Sequence, residues 1–360
     1  MSKRIMVLAN NSSGLYGFRK ELLSALSQKA QVLVSVPDDG NFPEIAQLGC
    51  QMIDTPVDRR GINPATDLKL FVRYWKLLRR EKPDLVITYT IKPNIYGGFA
   101  CRLLKIPYAI NITGLGTAFQ KQGLLRKLVV FLYRTALKKA KVVFFENSAN
   151  MTLFLQEKLA TKQQCHLLNG AGVNLEHFAF SPYPKDGHIC FLFVGRVMAE
   201  KGVGELFSAM ERLYQEGANC SLDVLGSYEE DYKEIIEKYQ QQGWLRYHGF
   251  VKDVRPYIAN AHCFVLPSYH EGMANTNLEC AAMGRPLITS DIPGCREAVL
   301  PGQSGLLCQS KDADSLYKTM RRFLSLPYEE KVQMGIAGRA HMETVFDKKK
   351  VVEDTIKELF

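Results

Sequence analysis

Short apolar runs alternate with amphipathic stretches along the first half of the chain. Between the runs, helical periodicity is centred near residues 23, 73, 99, 131 and 154. The predicted strands are Arg4–Ala9, Val32–Val36, Leu85–Tyr89, Tyr108–Ile112, Val142–Glu146 and His166–Leu168. Strands that alternate with helices indicate a parallel, doubly wound sheet.

A second series of the same kind follows a stretch with little periodicity. Its predicted strands are His188–Val194, Ser221–Leu225, Leu245–His248, Cys263–Leu266 and Leu287–Thr289. The pattern predicts an α/β fold with Rossmann-like domains at 1–169 and 188–345, a linker at 170–187 and a final helix at 346–360. Two such domains place a substrate cleft between them.

Two carboxylates, Glu271 and Glu279, lie on either side of a predicted strand-to-helix turn. Ligands of doubly wound sheets bind at this edge, beside helix N-termini that favour anions. A carboxylate can accept two hydroxyl hydrogen bonds, which suits a ribose diol or a sugar ring. Gly272 allows close approach, and free amides of Met273 and Ala274 suit a diphosphate. The alternative is that both glutamates are solvated helix-start acids.

This E-x7-E arrangement resembles the signature of the retaining GT-B glycosyltransferases, the group 1 or family 4 enzymes. Further segments that resemble this family are Phe193–Arg196, Lys201-Gly202, Tyr247–Val251, Ile292–Glu297 and Gly302–Leu307. Two N-terminal segments, Thr90–Gly97 and Thr113–Gly116, are similar to a narrower group. That group contains bacterial enzymes of polysaccharide synthesis that extend sugars on polyprenyl-diphosphate carriers, including N-acetylgalactosaminyltransferases. In the resembled fold the last helix crosses back onto the N-terminal domain.

The resemblance implies a nucleotide-sugar donor, which we expect to be a UDP-sugar, and no other cofactor. Arg196 and Lys201 would hold the donor diphosphate and stabilise its departure, and Glu271 would contact the transferred sugar. Glu279 would accept hydrogen bonds from the ribose hydroxyls with both of its carboxylate oxygens. Asn275 is expected to cap the helix, which we favour over direct sugar contact. The other residues assigned to the donor are Gly195, Phe250, Val251, Gly272, Met273 and Ala274.

We place the acceptor, a polyprenyl-diphosphate-linked saccharide, on the N-terminal domain. The turn around Gly14 and Tyr16 could bind a phosphate through its amides with Arg19 nearby, although an ordinary βα turn is an equal alternative. Lys92 follows a strand and should point into the cleft. Many relatives carry a histidine in this region, which this chain lacks. Thr113 and Gly114 should shape the mouth of the acceptor site.

The net charge of +9 is concentrated in the first half, where residues 1–180 carry 25 Lys and Arg against 12 Asp and Glu. No acid occurs from Leu85 to Phe145. Within that window a predicted helix over 124–140 turns Leu125 towards the core and presents a basic face with one aromatic residue. This face, Lys127, Phe131, Arg134 and Lys138, is expected to contact an anionic membrane surface, with a solvated helix as the alternative.

Nine cysteines show no metal-like spacing, and we expect them to be reduced. The only D-x-D, Asp312-Ala313-Asp314, is expected to cap a helix, so we predict no metal site. No signal peptide or apolar run of membrane-spanning length is present. The predicted location is cytoplasmic, peripheral on the inner face of the cell membrane.

Two other functions compete with the glycosyltransferase hypothesis. A nonhydrolysing UDP-sugar 2-epimerase shares the fold but needs acid/base residues in place of an acceptor site. A non-enzymatic binder of nucleic acid or another anionic polymer would use the basic first half. However, that half lacks a known nucleic-acid module, and the second half carries the donor signature, so we predict no nucleic-acid partner.

Overall fold

A computed structural model describes residues 3–58, 61, 63–116, 119, 123–185 and 187–360. The chain forms two compact units. The first contains Met1–Ala171 together with Lys349–Phe360, and the second contains Gly172–Lys348.

The described part of the first unit is built on a parallel sheet of seven strands in the order β3-β2-β1-β4-β5-β6-β7. The strands are β1 Arg4–Leu8, β2 Gln31–Val36, β3 Cys50–Asp54, β4 Leu85–Tyr89, β5 Tyr108–Ile112, β6 Val142–Phe145 and β7 Cys165–Leu167. The central strands β4 and β5 are buried throughout, as expected of a parallel sheet that is covered on both faces.

Six helices connect these strands in the described residues. They are α1 Ser12–Ser27, α2 Phe42–Gln47, α3 Pro64–Glu81, α4 Gly98–Leu104, α5 Leu124–Leu137 and α6 Ser148–Gln156. A π-helical turn, Pro93–Gly97, precedes α4. The Asn63 side chain caps α3, and Pro64 occupies the first helical position, where its missing amide costs nothing.

The described part of the second unit has a parallel sheet of six strands in the order β10-β9-β8-β11-β12-β13. These strands are β8 Ile189–Val194, β9 Cys220–Leu225, β10 Leu245–Gly249, β11 Cys263–Leu266, β12 Leu287–Ser290 and β13 Gly305–Cys308. Its helices are α7 Val203–Gln215, α8 Lys233–Gln241, α9 Arg255–Asn260, α10 Asn275–Ala282, α11 Ala313–Ser325 and α12 Tyr328–Val345. The last helix, α13 Lys348–Leu359, belongs to the first unit from Lys349 onwards.

The predicted α/β class with two parallel-sheet Rossmann-like domains is confirmed. The prediction of a separate linker at 170–187 is corrected, because residues from Gly172 onwards belong to the second unit. Side chains and carbonyls of this stretch form hydrogen bonds with other residues of the second unit. Tyr183 donates to the His262 carbonyl at 2.9 Å, and the buried Arg285 guanidinium donates to the Ser181 carbonyl at 2.6 Å. This stretch has no periodicity because it packs as irregular chain.

Candidate active site

The strand order of the second sheet reverses between β8 and β11, which lie side by side. Ligands of doubly wound sheets bind at such a point, outside the carboxyl ends of the strands. A short 3₁₀ turn, Ala199–Lys201, follows β8. Gly202 comes next with φ of 71°, and a Cβ there would lie 2.1 Å from the Pro267 carbonyl oxygen at the end of β11. Only glycine permits this close contact between the two segments.

Lys201 and Glu271, two of the predicted catalytic residues, form an ion pair at this point. The Lys201 ammonium donates to Glu271 Oε1, which also accepts from Ser268 Oγ at 2.8 Å. The Lys201 and Glu271 side chains retain 20% and 13% of their accessible surface. An ammonium has three donors, so Lys201 can hold Glu271 and still bind an anion.

Arg196, the third predicted catalytic residue, lies between β8 and the 3₁₀ turn, three residues before Ala199. Its guanidinium is half exposed and 3.9 Å from a carboxylate oxygen of Glu229. Exposed pairs at this distance are weak, so the cation is available to a ligand. Its neighbour Gly195 is closely approached by Gly226, where a Cβ would lie 1.8 Å from the Gly195 carbonyl oxygen.

The start of α10 differs from the prediction in two respects. Asn275 is the first residue of the helix and does not cap it; the N-cap is Ala274, and the Asn275 Oδ1 is buried without a hydrogen-bond partner among the described residues. The Ala274 amide is also not free, because it donates to the Gly294 carbonyl at 2.7 Å. A carbonyl from the connection after β12 thus occupies this amide, which is not free for a donor diphosphate.

Glu279 lies about one turn along α10 and is partly buried. Burial raises the pKa of this carboxyl to about 7, and the positive charge of Lys348 opposes the shift. An ionised Glu279 accepts hydroxyl hydrogen bonds with both oxygens, whereas the protonated form loses part of that capacity. The chemistry of this site therefore changes close to neutral pH.

The predicted nucleobase loop follows β10, the edge strand of the sheet. Gly249 ends the strand with φ of 66°, and the Phe250 side chain beyond it is exposed. The register of β10 shifts between Tyr247 and Gly249, which is a bulge. Phe250 and Val251 directly follow this irregularity of the strand.

In the first unit, the turn that opens α1 is already satisfied by protein groups. The Gly14 amide donates to Asn11 Oδ1 at 2.7 Å, and the Ser12 amide donates to Asp39 Oδ1 at 2.8 Å. A carboxylate at this position repels a phosphate. The predicted phosphate site at Gly14 is therefore a correction, and the turn is an ordinary βα connection.

Arg19 is a second correction. Its side chain is buried and forms an ion pair with Glu146, while its guanidinium lies 5.2 Å from the centre of the Tyr89 ring. A buried guanidinium with a carboxylate partner is a structural element of the domain rather than a ligand for the acceptor. Tyr16 remains partly accessible on α1, beside Lys20.

Lys92 lies beside the carboxyl end of β4 and is paired with a residue that the sequence did not single out. Its ammonium is 2.7 Å from Asp67 Oδ1, and Tyr96 donates its hydroxyl to Asp67 Oδ2 at 2.9 Å. Thr90, which precedes this group, has a φ of 72°, a costly conformation for a β-branched residue. Such strain concentrates at functional sites. Thr113 and Gly114 follow β5 and are partly exposed.

Two family models match consecutive parts of the chain. The model described as Glycosyl transferases group 1 matches residues 176–341, and the model described as Glycosyl transferase 4-like matches residues 4–147. The chain is a glycosyltransferase, with a second half that matches group 1.

Two bacterial proteins illustrate the relationship. The chain is 28% identical to N,N'-diacetylbacillosaminyl-diphospho-undecaprenol alpha-1,3-N-acetylgalactosaminyltransferase of Campylobacter jejuni, covering 95% of this chain and 94% of the relative. It is 27% identical to UDP-Gal:alpha-D-GlcNAc-diphosphoundecaprenol alpha-1,3-galactosyltransferase of Escherichia coli, covering 73% and 72% of the two chains. A solved structure, Anabaena Alr3699/HepE in complex with UDP and glucose, has a TM-score of 0.81 at 16% identity over 99% of both chains. The glycosyltransferase thus has the GT-B fold.

The residues that the sequence missed are partners of those it identified. Ser268 supports Glu271, Glu229 faces Arg196, and Asp67 holds Lys92. Of these, only Ser268 carried a local signal, because it lies three residues before Glu271 in the same loop. The others come from different elements, so only the folded chain brings them near.

The helix α5 of the glycosyltransferase carries the predicted membrane-facing residues Lys127, Phe131 and Arg134, and Lys138 follows its last residue; all four are exposed. The apolar part is larger than predicted, because Leu124 and Leu128 are 85% and 54% exposed and Phe131 is 62% exposed. Leu125, which was expected to face the core, is also exposed. Spacings of four and three residues place Leu124, Leu128 and Phe131 on one side of the helix.

Among the described residues, no helix is both long enough and apolar enough to span a membrane. One group there could hold a metal ion by proximity, namely His166 with Asp354 and Glu358 in the first unit. The Asp354 carboxylate lies 2.8 Å from His166 Nε2, within hydrogen-bond distance, whereas the Glu358 carboxylate lies 3.8 Å from Nδ1, which is too far for a hydrogen bond. The Asp312 carboxylate caps α11 as predicted, accepting from the Ser315 amide at 2.9 Å.

Proposed function

We propose that this glycosyltransferase moves an N-acetylhexosamine from a UDP-sugar to a polyprenyl-diphosphate-linked saccharide, with retention at the anomeric carbon. The observation that carries the donor side of this proposal is the Lys201–Glu271 pair at the switch point of the second sheet. It joins a cation for the diphosphate to a carboxylate for the sugar, and Arg196 adds a second cation.

The proposed reaction needs these charges because a nucleoside diphosphate leaves with growing negative charge. The bond from the anomeric carbon to the diphosphate oxygen breaks, and the acceptor hydroxyl oxygen forms the new bond on the same face. The hydroxyl proton passes to the leaving diphosphate. Arg196 and Lys201 stabilise that diphosphate as it departs, which is the role of preorganised cations in transferases. Glu271, paired with Lys201, orients the sugar.

The acceptor side rests on the first unit and on the relatives. Both bacterial relatives named above act, by their names, on sugars joined to undecaprenyl diphosphate. In this chain, Lys92, Asp67 and Tyr96 form a partly buried polar group at the carboxyl end of β4. We assign the acceptor saccharide to this group, with Thr113, Gly114 and Tyr16 around it.

We further propose that α5 binds an anionic membrane surface. Its exposed leucines and Phe131 can enter the boundary between headgroups and acyl chains, while Lys127, Arg134 and Lys138 contact the headgroups. A lipid-linked acceptor resides in that membrane, so peripheral binding on the cytoplasmic face would bring enzyme and acceptor together.

The test is a transfer assay with radiolabelled UDP-N-acetylgalactosamine, UDP-N-acetylglucosamine and UDP-galactose on a synthetic polyprenyl-diphospho-N-acetylhexosamine. We expect label to move to the lipid, with one of the N-acetylated donors preferred, and NMR of the product to show the donor's own anomeric configuration. An inverted product would refute the retaining mechanism.

The same assay without acceptor distinguishes the rival enzyme class. An epimerase would convert the UDP-sugar to its 2-epimer and leave the lipid unlabelled. We expect an unchanged UDP-sugar apart from slow hydrolysis. Epimer formation would replace the proposed function.

A further inference from the structure

We infer that Asn275 recognises the substituent on C2 of the donor sugar, by accepting a hydrogen bond through its side-chain oxygen Oδ1. The inference rests on the proposed function and names the part of the donor that this residue contacts. An N-acetylhexosamine presents an amide N–H at C2, and a hexose presents a hydroxyl there. Both offer Asn275 the same chemistry, which is one hydrogen-bond donor beside the anomeric carbon.

Asn275 lies on the open face of α10, on the same side as Glu279. Most of the helix is buried in the second unit, whereas Asn275, Thr276 and Glu279 remain partly exposed. Residues four apart on a helix share a face, so the Asn275 and Glu279 side chains are neighbours. Side chains of a helix tilt towards its N-terminus, which here is the end that follows Glu271. Asn275 is therefore placed between the carboxylate assigned to the ribose and the one assigned to the sugar.

The Oδ1 atom of Asn275 is buried and has no hydrogen-bond partner among the described residues. A buried acceptor without a partner costs free energy, so such an atom within a binding site indicates that a ligand supplies the donor. The residue as a whole is partly exposed, and the last side-chain torsion of asparagine is broad, so a small rotation presents Oδ1 to a ligand.

A second asparagine of α10 shows the contrast. Asn277 also has an unpartnered Oδ1 in the described structure, but its side chain is fully buried and its Nδ2 donates to Thr289 Oγ1 at 3.1 Å. That contact holds Asn277 against β12, on the inner side of the helix. Of the two asparagines, Asn275 is the one that a bound ligand can reach.

The chemistry of a nucleotide sugar leaves few donors for this oxygen. Phosphate oxygens accept hydrogen bonds and cannot satisfy Oδ1. In the proposed function the ribose hydroxyls go to Glu279 and ring hydroxyls of the sugar go to Glu271, each of which accepts with two oxygens. The C2 substituent is next to the anomeric carbon, which carries the diphosphate, so it lies between those two groups of hydroxyls. Asn275 and the C2 donor therefore match in position and in chemistry.

The test measures Kd values of the full chain by calorimetric titration without acceptor. The ligands are UDP, a UDP-hexose, its 2-deoxy analogue and the corresponding UDP-N-acetylhexosamine, in the gluco or galacto configuration that the transfer assay prefers. We expect the parent to bind the UDP-hexose about threefold to tenfold more tightly than the 2-deoxy analogue, the scale of one net hydrogen bond. Equal Kd values for this pair would overturn the inference.

Asn275→Leu replaces the carboxamide with an apolar group of similar size. It should weaken binding of the UDP-hexose and of the UDP-N-acetylhexosamine by about threefold to tenfold and leave the Kd values of UDP and the 2-deoxy analogue unchanged. A variant that binds UDP-N-acetylhexosamine as tightly as the parent would overturn the inference. Equal weakening of UDP would overturn it too, because the contact would then be to the nucleotide.

Stability separates this role from a structural one. Since Oδ1 has no partner in the described structure, Asn275→Leu without ligand should unfold at the parent's melting temperature or above it. A lower melting temperature would assign Asn275 a structural role and overturn the inference.

Asn275→Asp keeps an acceptor at the same position. The preference for the UDP-hexose over its 2-deoxy analogue should therefore persist, although the added negative charge weakens binding of every ligand in the series. A preference that vanishes in Asn275→Asp would assign the contact to Nδ2 and overturn the inference.

Asn150→Leu serves as the matched control. Asn150, on α6 of the first unit, also has a buried amide atom, Nδ2, without a hydrogen-bond partner in the described part of the chain. The same substitution there should leave all four Kd values unchanged, and a control that repeats the effect of Asn275→Leu would overturn the inference. If the parent binds neither UDP nor the UDP-sugars, the proposed function fails and this inference with it. If the parent binds them and Asn275→Leu matches it, the inference alone fails.

Discussion

The two cations of the donor site differ in their surroundings, so their removal should have different consequences. Replacing either Arg196 or Lys201 with Ala should lower turnover at least about a hundredfold, as expected for the loss of one preorganised charge. Arg196 is half exposed, so Arg196→Ala should leave the melting temperature unchanged.

Lys201→Ala should also destabilise the protein, by about 1 kcal/mol, because it leaves the partly buried Glu271 carboxylate with Ser268 as its remaining partner. Turnover in the transfer assay and thermal unfolding of both variants check the pair of predictions. Near-parental turnover in both variants would refute their role, and equal melting temperatures would refute the ion pair's contribution to stability.

Glu279 should make both donor binding and stability depend on pH. Its folded-state pKa of about 7 lies above its ordinary value, so the folded chain holds an extra proton between pH 4.5 and 7. Stability therefore falls as pH rises through this window and stays low above it. Without ligand, Glu279→Gln should be more stable than the parent at pH 8, on the order of 2 kcal/mol, and equal to it near pH 4.5.

Glu279→Gln should weaken donor binding although it stabilises the unliganded protein. An amide cannot accept the paired hydrogen bonds from two ribose hydroxyls. UDP affinity of the parent should fall more steeply below pH 7 than that of Glu279→Gln, which should be low at every pH. Calorimetric titration and denaturant unfolding at several pH values check this. A variant less stable than the parent at pH 8 would contradict the assigned burial cost.

Individual residues show where sequence reasoning succeeds and fails. Lys201 and Glu271 could be identified because each lies in a local strand–turn motif. Arg19 was misassigned because its partner, Glu146, lies 127 residues away and carries no local signal. The same limit applies to Ala274, whose amide is taken by a distant carbonyl of Gly294. Local patterns reveal candidate groups but not which of them are already paired.

At the scale of elements, the two strands that the sequence did not reveal, β3 and β13, both lie at a sheet edge. Central parallel strands such as β8 are covered on both faces, so their sequences are continuous apolar runs. The edge strand β3 has only one buried position, Cys50, and β13 begins at Gly305 after a glycine- and serine-containing turn. A short edge strand needs less apolar surface, so its pattern is weaker.

The proposed membrane helix α5 is tested at this scale. Changing Lys127, Arg134 and Lys138 together to Gln should reduce co-sedimentation with anionic liposomes, because each cation is worth about 1 kcal/mol at such a surface. Leu124→Gln with Leu128→Gln should reduce it as well, and the remaining binding should keep its salt sensitivity. Both variants should lose activity on a long-chain acceptor and keep it on a short, water-soluble one.

The matched control for α5 replaces three exposed lysines of the second unit, Lys233, Lys238 and Lys318, with Gln. It removes the same net charge and should leave liposome binding unchanged. Parent protein that fails to sediment with liposomes, or a control that loses as much binding as the α5 variant, would refute the assignment.

At the scale of the whole molecule, the charge is divided between the halves of the chain. The first half carries a large excess of Lys and Arg and the second half a small excess of acids, although the second unit is the one assigned to the anionic donor. In the proposed function, two local cations, Arg196 and Lys201, would meet the donor charge rather than the overall charge of the unit. The basic first half suits a membrane surface and a diphosphate carrier.

If Arg196 and Lys201 take the place of a metal ion, the transfer reaction should not require one. Transfer activity should persist in excess EDTA, because Arg196 and Lys201 supply the positive charge that Mg²⁺ or Mn²⁺ supplies in other transferases. Initial rates with and without chelator check this. Complete loss of activity in EDTA, restored by Mg²⁺ or Mn²⁺, would contradict it.

The central claim is that a nucleoside diphosphate binds at the switch point of the second sheet. Hydrogen–deuterium exchange of the full chain with and without UDP measures this directly, since a bound ligand slows exchange of the amides that it covers or orders. We predict slower exchange in residues 195–203 and 269–279, and no change in α1 of the first unit. Protection confined to the first unit, or none at saturating UDP, would contradict the account.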